Sequence, residues 1–137
     1  KDTGKPEDLL EGNSLILHGI ETELLGEIDP QAVVQGKVRI GEGTRIGPRV
    51  KIRGPVTIGK NCVLNNCYVG PYTSIGDVVT IEGGEIEHSI VMNGVTINTT
   101  KRIVESILGE RCVVGGVSNS LPSGHKLILG DQTAVEL

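Results

Sequence analysis

The side chains best suited to acid–base chemistry in this 137-residue chain are three histidines, His18, His88 and His125. His88 directly follows Glu87, and a positioned histidine is the commonest general base in enzymes. A catalytic histidine also needs an orienting partner, which a neighbour in sequence does not by itself supply. The simpler interpretation of His88 is therefore a solvated or interface histidine, and a general-base role is the alternative.

Cys62, Cys67 and Cys112 are the candidates for nucleophilic or metal chemistry. Their odd number and the lack of a Cys-x-x-Cys pair argue against a disulfide framework and a zinc site. The histidines also lack the grouping that a metal site needs. We therefore predict that the cysteines are small buried hydrophobic side chains and not nucleophiles.

Aromatic side chains are scarce, since the chain has no Trp, no Phe and only Tyr68 and Tyr72. A core without large rings, in a chain with 20 glycines, predicts a narrow interior with many tight corners. The two tyrosines flank Gly70 and Pro71 and cannot both fit such an interior. We expect at least one of them to be exposed, as an interface anchor or as a residue that packs at a corner.

The charge pattern excludes several function classes. The net charge is −4, the isoelectric point is near 5.4, and the basic residues form no stripe, so nucleic-acid binding is not expected. No glycine-rich phosphate loop, signal peptide or membrane-spanning run is visible. These features predict a cytoplasmic protein.

The main pattern is an aliphatic residue at nearly every sixth position. Sixteen successive positions follow it: Ile28, Val34, Ile40, Ile46, Ile52, Ile58, Leu64, Val69, Ile75, Ile81, Ile86, Val91, Ile97, Ile103, Leu108 and Val114. The spacing is six residues, except for five after Leu64, Ile81, Ile86 and Ile103. Such spacing does not match the 3.6-residue period of an amphipathic helix.

A period of six predicts short strands separated by corners. Each unit buries its aliphatic residue only against neighbouring units, which is the principle of a solenoid. The small or β-branched residues four positions after each aliphatic one, such as Val50 and Cys62, are also predicted to point inward. If the units lie on three faces in turn, the short units at Leu64 and Ile81 stack on one face. Those at Ile86 and Ile103 then stack on the next.

This pattern resembles that of the hexapeptide-repeat proteins. The resemblance implies an all-β fold, a left-handed parallel β-helix with three units per coil and about five coils. Its region is predicted at residues 28–114. Residues 6–17 are predicted to form a short helix, with Pro6 in its first turn and Leu9, Leu10, Asn13, Ile16 and Leu17 on one side. Residues 115–137 are predicted to contain a loop and strands that cap the prism at 126–129 and 134–137.

Several segments are similar to long-form glucose-1-phosphate thymidylyltransferases. The start, DTGKPEDLLE at residues 2–11, resembles the motif that closes the catalytic domain of sugar-1-phosphate nucleotidylyltransferases. Residues 69–77, VGPYTSIGD, and 84–89, GEIEHS, are similar to the long-form enzymes, as are LGD at 129–131 and VEL at 135–137. Residues 1–27 are accordingly divided into the end of that motif, the helix and a linker.

The resemblance implies an enzyme that joins dTTP and glucose 1-phosphate into dTDP-glucose and pyrophosphate with Mg²⁺. Asp2 matches the second magnesium-binding carboxylate of the family, although its place before Pro6 also fits a residue at a helix start. The nucleotide-binding loop of the family has no counterpart in this chain. We therefore expect no catalytic residue, no bound cofactor and no nucleotidyl transfer from the chain alone.

Three functions follow as hypotheses. The first is a structural domain behind a nucleotidylyltransferase domain that assembles copies of the enzyme, with a trimer as the expected homo-oligomer. The second is an acyltransferase that uses acyl-CoA, with His88 as its base. The third is a regulatory module that binds a sugar nucleotide.

Overall fold

The computed structural model describes residues 5–115 and 126–128, which form one helix and three sheets. The helix α1 spans Pro6–His18. Sheet A contains β1 (Glu23–Leu24), β4 (Val38–Ile40), β7 (Val56–Ile58), β10 (Thr73–Ile75), β13 (Ile90–Val91) and β16 (Ile107–Leu108). Sheet B contains β2 (Glu27–Ile28), β5 (Arg45–Ile46), β8 (Val63–Asn65), β11 (Thr80–Glu82), β14 (Thr96–Asn98), β17 (Val113–Gly115) and β18 (Lys126–Ile128). Sheet C contains β3 (Val33–Gln35), β6 (Lys51–Arg53), β9 (Tyr68–Val69), β12 (Glu85–Glu87) and β15 (Arg102–Val104).

From β1 to β17, every third strand joins the same sheet, which confirms a three-sided solenoid of about five coils. All pairings are parallel except that of β17 with β18, which is antiparallel. The aliphatic residues of successive coils lie in register, as Leu64, Ile81 and Ile97 do in sheet B. From Ile40 to Val114 they are all buried, whereas Ile28 and Val34 in the first coil are partly exposed.

The short units stack as the spacing predicts. Ile81 pairs with Leu64 in sheet B, and Ile86 pairs with Ile103 in sheet C. Shortened corners therefore lie on shortened corners. Because the shortening recurs at the same place in successive coils, the inward-pointing residues of sheets B and C stay in register through the later coils.

Four of the five coils turn the corner between sheets C and A through a left-handed residue. The first coil uses Gly36 at φ 78°, and the third to fifth place Tyr72 at 65°, His88 at 47° and Glu105 at 49°, whereas the second turns at Gly54 and Pro55 without one. The His88 amide donates to the Pro71 carbonyl at 3.0 Å, which links adjacent coils at this corner. Non-glycine residues have a steric cost in the left-handed conformation. The packing of the coils holds Tyr72 and His88 in this conformation at the same corner of two successive coils.

The parallel ladders begin earlier than the six-residue spacing predicts. Strand β1 pairs with β4, with Leu24 opposite Ile40. Leu24 precedes Ile28 by only four residues, so the regular spacing does not include it. At the other end, β18 lies in the segment for which a terminal strand is predicted. The predicted strand at 134–137 lies outside the described residues.

Helix α1 lies against the outer side of sheet A. The Ser74 hydroxyl of β10 donates to Asn13 Oδ1 at 2.6 Å, and Leu10 and Leu17 are buried. The prediction that Ile16 shares this side is wrong, because Ile16 is 72% exposed. Successive helical residues are rotated by about 100°, and the flat sheet covers only the narrow stripe that contains Leu10, Asn13 and Leu17.

Candidate functional site

A groove of about 460 Å³ lies between the last turns of α1 and the corner that joins sheets C and A. The helix contributes Glu11, Ser14, Leu15 and His18. The corner contributes Pro71, Tyr72, Glu87 and His88. The groove falls within the usual size range of small-molecule sites, about 300–1,000 Å³.

The aromatic rings of the groove form a connected row. The His18 and Tyr72 ring centroids are 5.4 Å apart at 62°, and those of Tyr72 and His88 are 6.5 Å apart at 73°. Tyr72 Oη and His18 Nε2 also lie 3.1 Å apart, within hydrogen-bond distance. Lys37 Nζ donates to the His18 carbonyl at 2.9 Å, so the end of the helix is fixed to the second coil.

Two side chains on the outer side of sheet C, Tyr68 and Arg102, hold Glu87 at the edge of the groove. Its carboxylate accepts a hydrogen bond from the Tyr68 hydroxyl at 3.0 Å and pairs with the Arg102 guanidinium. Arg102 also binds Glu85 at 3.1 Å. Burial raises the pKa of Tyr68, and its hydrogen bond to the Glu87 carboxylate raises it further. Tyr68 therefore stays protonated as a donor at neutral pH.

The structure corrects the expectation that at least one tyrosine is exposed. Tyr68 and Tyr72 are both partly buried and both lie outside the prism core. They pack at corners and on the outer side of the sheet, where one binds Glu87 and the other contacts two histidines. The corner-packing interpretation therefore describes Tyr72, whereas Tyr68 lies on the outer side of strand β9.

His88 lies in the groove, but its ring lacks the partner that orients a catalytic base. Among residues 5–115, its ring contact is with Tyr72, and no hydrogen bond reaches the ring nitrogens. His88 also lies on an unbroken coil, and not on a loop that could adjust to a substrate. The general-base role of His88 stays a hypothesis.

Sequence reasoning placed His18 in a linker and did not connect it with His88 or Tyr72. The contact depends on the path of α1 across sheet A, which residue spacing does not specify. One signal was present in the sequence. A chain so poor in aromatic residues places three of its rings in one groove, and the fourth ring of the described residues, Tyr68, binds a carboxylate of that groove.

Magnesium has no binding site among the described residues. No group of three His, Cys, Asp or Glu side chains there could hold a metal ion. Asp2, the carboxylate that the resemblance implies, lies outside the described residues, as does His125. Because magnesium requires several oxygen ligands in near-octahedral geometry, the described residues do not fit it.

The cysteines occupy the interior as predicted. Cys62, Cys67 and Cys112 are buried and free. Burial raises the pKa of the Cys62 thiol, and burial together with the nearby Glu82 carboxylate raises that of Cys67 to about 12. Cys62 and Cys112 are separated by three coils, since the intervening backbone partners are Val79 and Val95. No disulfide can join them.

We expect slow thiol labelling in the native protein. With a pKa near 12, Cys67 at pH 8 has a thiolate fraction roughly 10³-fold below that of a free cysteine. Measurement with a thiol-reactive chromophore should give three rapid equivalents in denaturant and almost none without it. Rapid native labelling of Cys67 would contradict its burial.

The outer sides of sheets B and C differ in chemistry. Sheet C carries the Tyr68, Glu85 and Arg102 ladder. Sheet B instead carries a ladder of uncharged β-branched residues: Val63, Thr80, Thr96 and Val113. At about 4.8 Å per strand, this ladder is roughly 14 Å long. The same outward column continues into the Arg45–Glu27 ion pair, and Glu82 lies beside Thr80 on the outer side of β11. Within the described residues, no helix covers this uncharged ladder.

A family model described as "Bacterial transferase hexapeptide (six repeats)" matches residues 37–67. These residues include strands of all three sheets and more than one full coil. The chain is a hexapeptide-repeat domain. With this repeat, the three parallel sheets form a left-handed β-helix.

The hexapeptide-repeat domain is homologous along its whole length to nucleotidyltransferases. It is 38% identical to a glucose-1-phosphate thymidylyltransferase of Streptomyces antibioticus over 137 residues, which are all of this chain and 38% of that protein. It is 41% identical to the low-salt glycan biosynthesis nucleotidyltransferase Agl11 of Haloferax volcanii, covering 39% of that protein. The domain thus spans well under half the length of these relatives and corresponds to their C-terminal portion.

Among solved structures, the domain is similar to the acetyltransferase domain of PglB from Neisseria gonorrhoeae. It is 17% identical, has a TM-score of 0.40, and the match covers 90% of this domain and 67% of that chain. Separately, no helix among the described residues is both long and apolar enough to cross a membrane.

Proposed function

We propose that this domain assembles a sugar-1-phosphate nucleotidylyltransferase into a homotrimer. The observation that carries the proposal is the match along the entire domain to a thymidylyltransferase that is much longer than the domain. The unbroken register of the coils favours a structural role over catalysis within the prism.

The full enzyme would make dTDP-glucose and pyrophosphate from dTTP and glucose 1-phosphate in the cytoplasm. Its preceding domain would bind the nucleotide and Mg²⁺, and Asp2 would supply one carboxylate to that site. Nucleotidyl transfer depends mainly on positioning and charge neutralisation. Both would be provided by the preceding domain, while the β-helix would fix the relative placement of the copies.

The subunit contact proposed for this trimer is the outer side of sheet B. Its Val63, Thr80, Thr96 and Val113 ladder offers a flat surface of β-branched side chains without a charge among them. Interface centres are depleted in charged residues. This favours the uncharged ladder of sheet B, beyond its Arg45–Glu27 pair, over the ladder of sheet C that contains Glu85 and Arg102. Helix α1 packs against β10 in the middle of sheet A and so interrupts that face as a contact surface.

The native mass of the gene product tests the nucleotidylyltransferase assignment. An antibody raised against this domain should detect a cellular protein that is larger by a catalytic domain of roughly 200–250 residues. That protein should catalyse thymidylyl transfer after immunopurification. A native product as small as the domain itself would contradict the proposal.

A further inference from the structure

We propose that the groove between α1 and the corner of sheets C and A binds a pyranose ring without modifying it. The site is built from the His18, Tyr72 and His88 rings, with the Ser14 hydroxyl and the Glu87 carboxylate at its edges. The inference rests on the lining of the groove and holds whether or not the proposed assembly role is correct.

The lining of the groove offers both kinds of contact that a sugar ring can make. Apolar side chains can pack against its C–H faces, and polar groups can bind its hydroxyls. Tyr72, Pro71 and Leu15 offer apolar surface, and Leu15 is 68% exposed at the rim. A pyranose has apolar C–H faces that can pack against such side chains, whereas its hydroxyls lie around the ring edge. Carboxylates accept hydrogen bonds from hydroxyls, and neutral imidazoles both donate and accept them. Pockets of this kind use a few polar groups to orient a ligand on an apolar wall.

The charge of the lining argues against a phosphate as the recognised group. None of the eight lining residues is Lys or Arg, and two are glutamates. The nearby Arg102 is already paired with Glu85 and Glu87. A phosphate in the groove would lack a bidentate cation and would lie close to carboxylates. We therefore expect the ring itself to be recognised, either as a free hexose or as the hexosyl group of a sugar nucleotide.

A titration followed by NMR tests the proposal on the 137-residue chain labelled with ¹⁵N-histidine. The imidazole signals of His18 and His88, assigned from His18→Gln and His88→Gln, are monitored during addition of D-glucose, glucose 1-phosphate and dTDP-glucose. For a ligand of this size we expect saturation with a dissociation constant on the order of 1–10 mM. Glucose 1-phosphate should bind no more tightly than glucose. If dTDP-glucose binds more tightly than glucose and its binding still requires Tyr72, the ligand of the groove is the hexosyl group of a sugar nucleotide and not a free hexose.

Glycine variants provide the decisive control. Tyr72→Gly and His88→Gly remove one ring each and suit the left-handed backbone, so the coil should persist, as circular dichroism can verify. Each should weaken glucose binding at least about tenfold, whereas Thr80→Ala on sheet B should leave it unchanged.

Three results would overturn the inference. These are no saturable shift with any of the three sugars, glucose binding that is unaffected by Tyr72→Gly, and imidazole shifts that follow protein concentration instead of sugar. The last would mean that a second copy occupies the groove. None of these results would change the native mass that tests the proposed function.

Discussion

Replacing Ile81 with alanine is expected to lower the free energy of unfolding by about 2–5 kcal/mol. Ile81 is 2% exposed and lies between Leu64 and Ile97 in the inward column of sheet B. Each of these residues is buried mainly by the coils next to it. A cavity at Ile81 therefore removes contacts from both neighbours, and the rigid ladders limit how far the coils can collapse around it.

Urea denaturation followed by circular dichroism measures this loss as a lower transition midpoint. The matched control is Val113→Ala, since Val113 is a β-branched residue of the same sheet but is 40% exposed on its outer side. It should cost no more than about 0.5 kcal/mol in a monomeric reference state. Similar losses for both variants would mean that burial does not distinguish the two sides of sheet B.

The prism is predictable from sequence because the same packing requirement recurs in every strand. Sixteen aliphatic residues at five- or six-residue intervals repeat one requirement, the burial of one side chain per strand. Even the stacked short units, Leu64 with Ile81 and Ile86 with Ile103, follow from counting units onto three faces. The count of three itself came from the resemblance and not from the spacing.

Features that occur once in the chain escape this reasoning. Strand β1 lies only four residues before Ile28, outside the regular interval. The exposed face of α1 was misjudged because Ile16 is apolar, whereas the sheet contacts a stripe that contains the polar Asn13. A local pattern identifies an element, but the partner surface decides which side of it is buried.

The groove could be predicted only in part. His88 and Tyr72 are recognisable as unusual residues of the repeats, and their separation by one coil follows from the spacing. His18 joins them only because α1 runs along sheet A and ends beside that corner. No periodicity encodes this docking. It depends on the buried contacts of Leu10 and Leu17 and on the Asn13 to Ser74 hydrogen bond.

Replacing Thr80 with arginine is expected to convert the proposed trimer into monomers. Thr80 lies in the middle of the ladder, with Val63 and Thr96 as its register partners. An arginine there would bring an unpaired cation into every copy of a contact that offers it β-branched neighbours. An unpaired buried charge at an interface typically costs about 2–5 kcal/mol, which corresponds to at least a roughly 30-fold weaker association.

Light scattering coupled to size-exclusion chromatography measures the outcome across a dilution series. Thr100→Arg adds the same charge at an exposed turn between β14 and β15 and should leave the trimer intact. Circular dichroism should show that the Thr80→Arg prism stays folded, because Thr80 points outward between buried Val79 and Ile81. A Thr80→Arg trimer as stable as the unmodified one would place the subunit contact on another face. Loss of assembly in both variants would instead mean that added charge, and not the sheet B ladder, controls association.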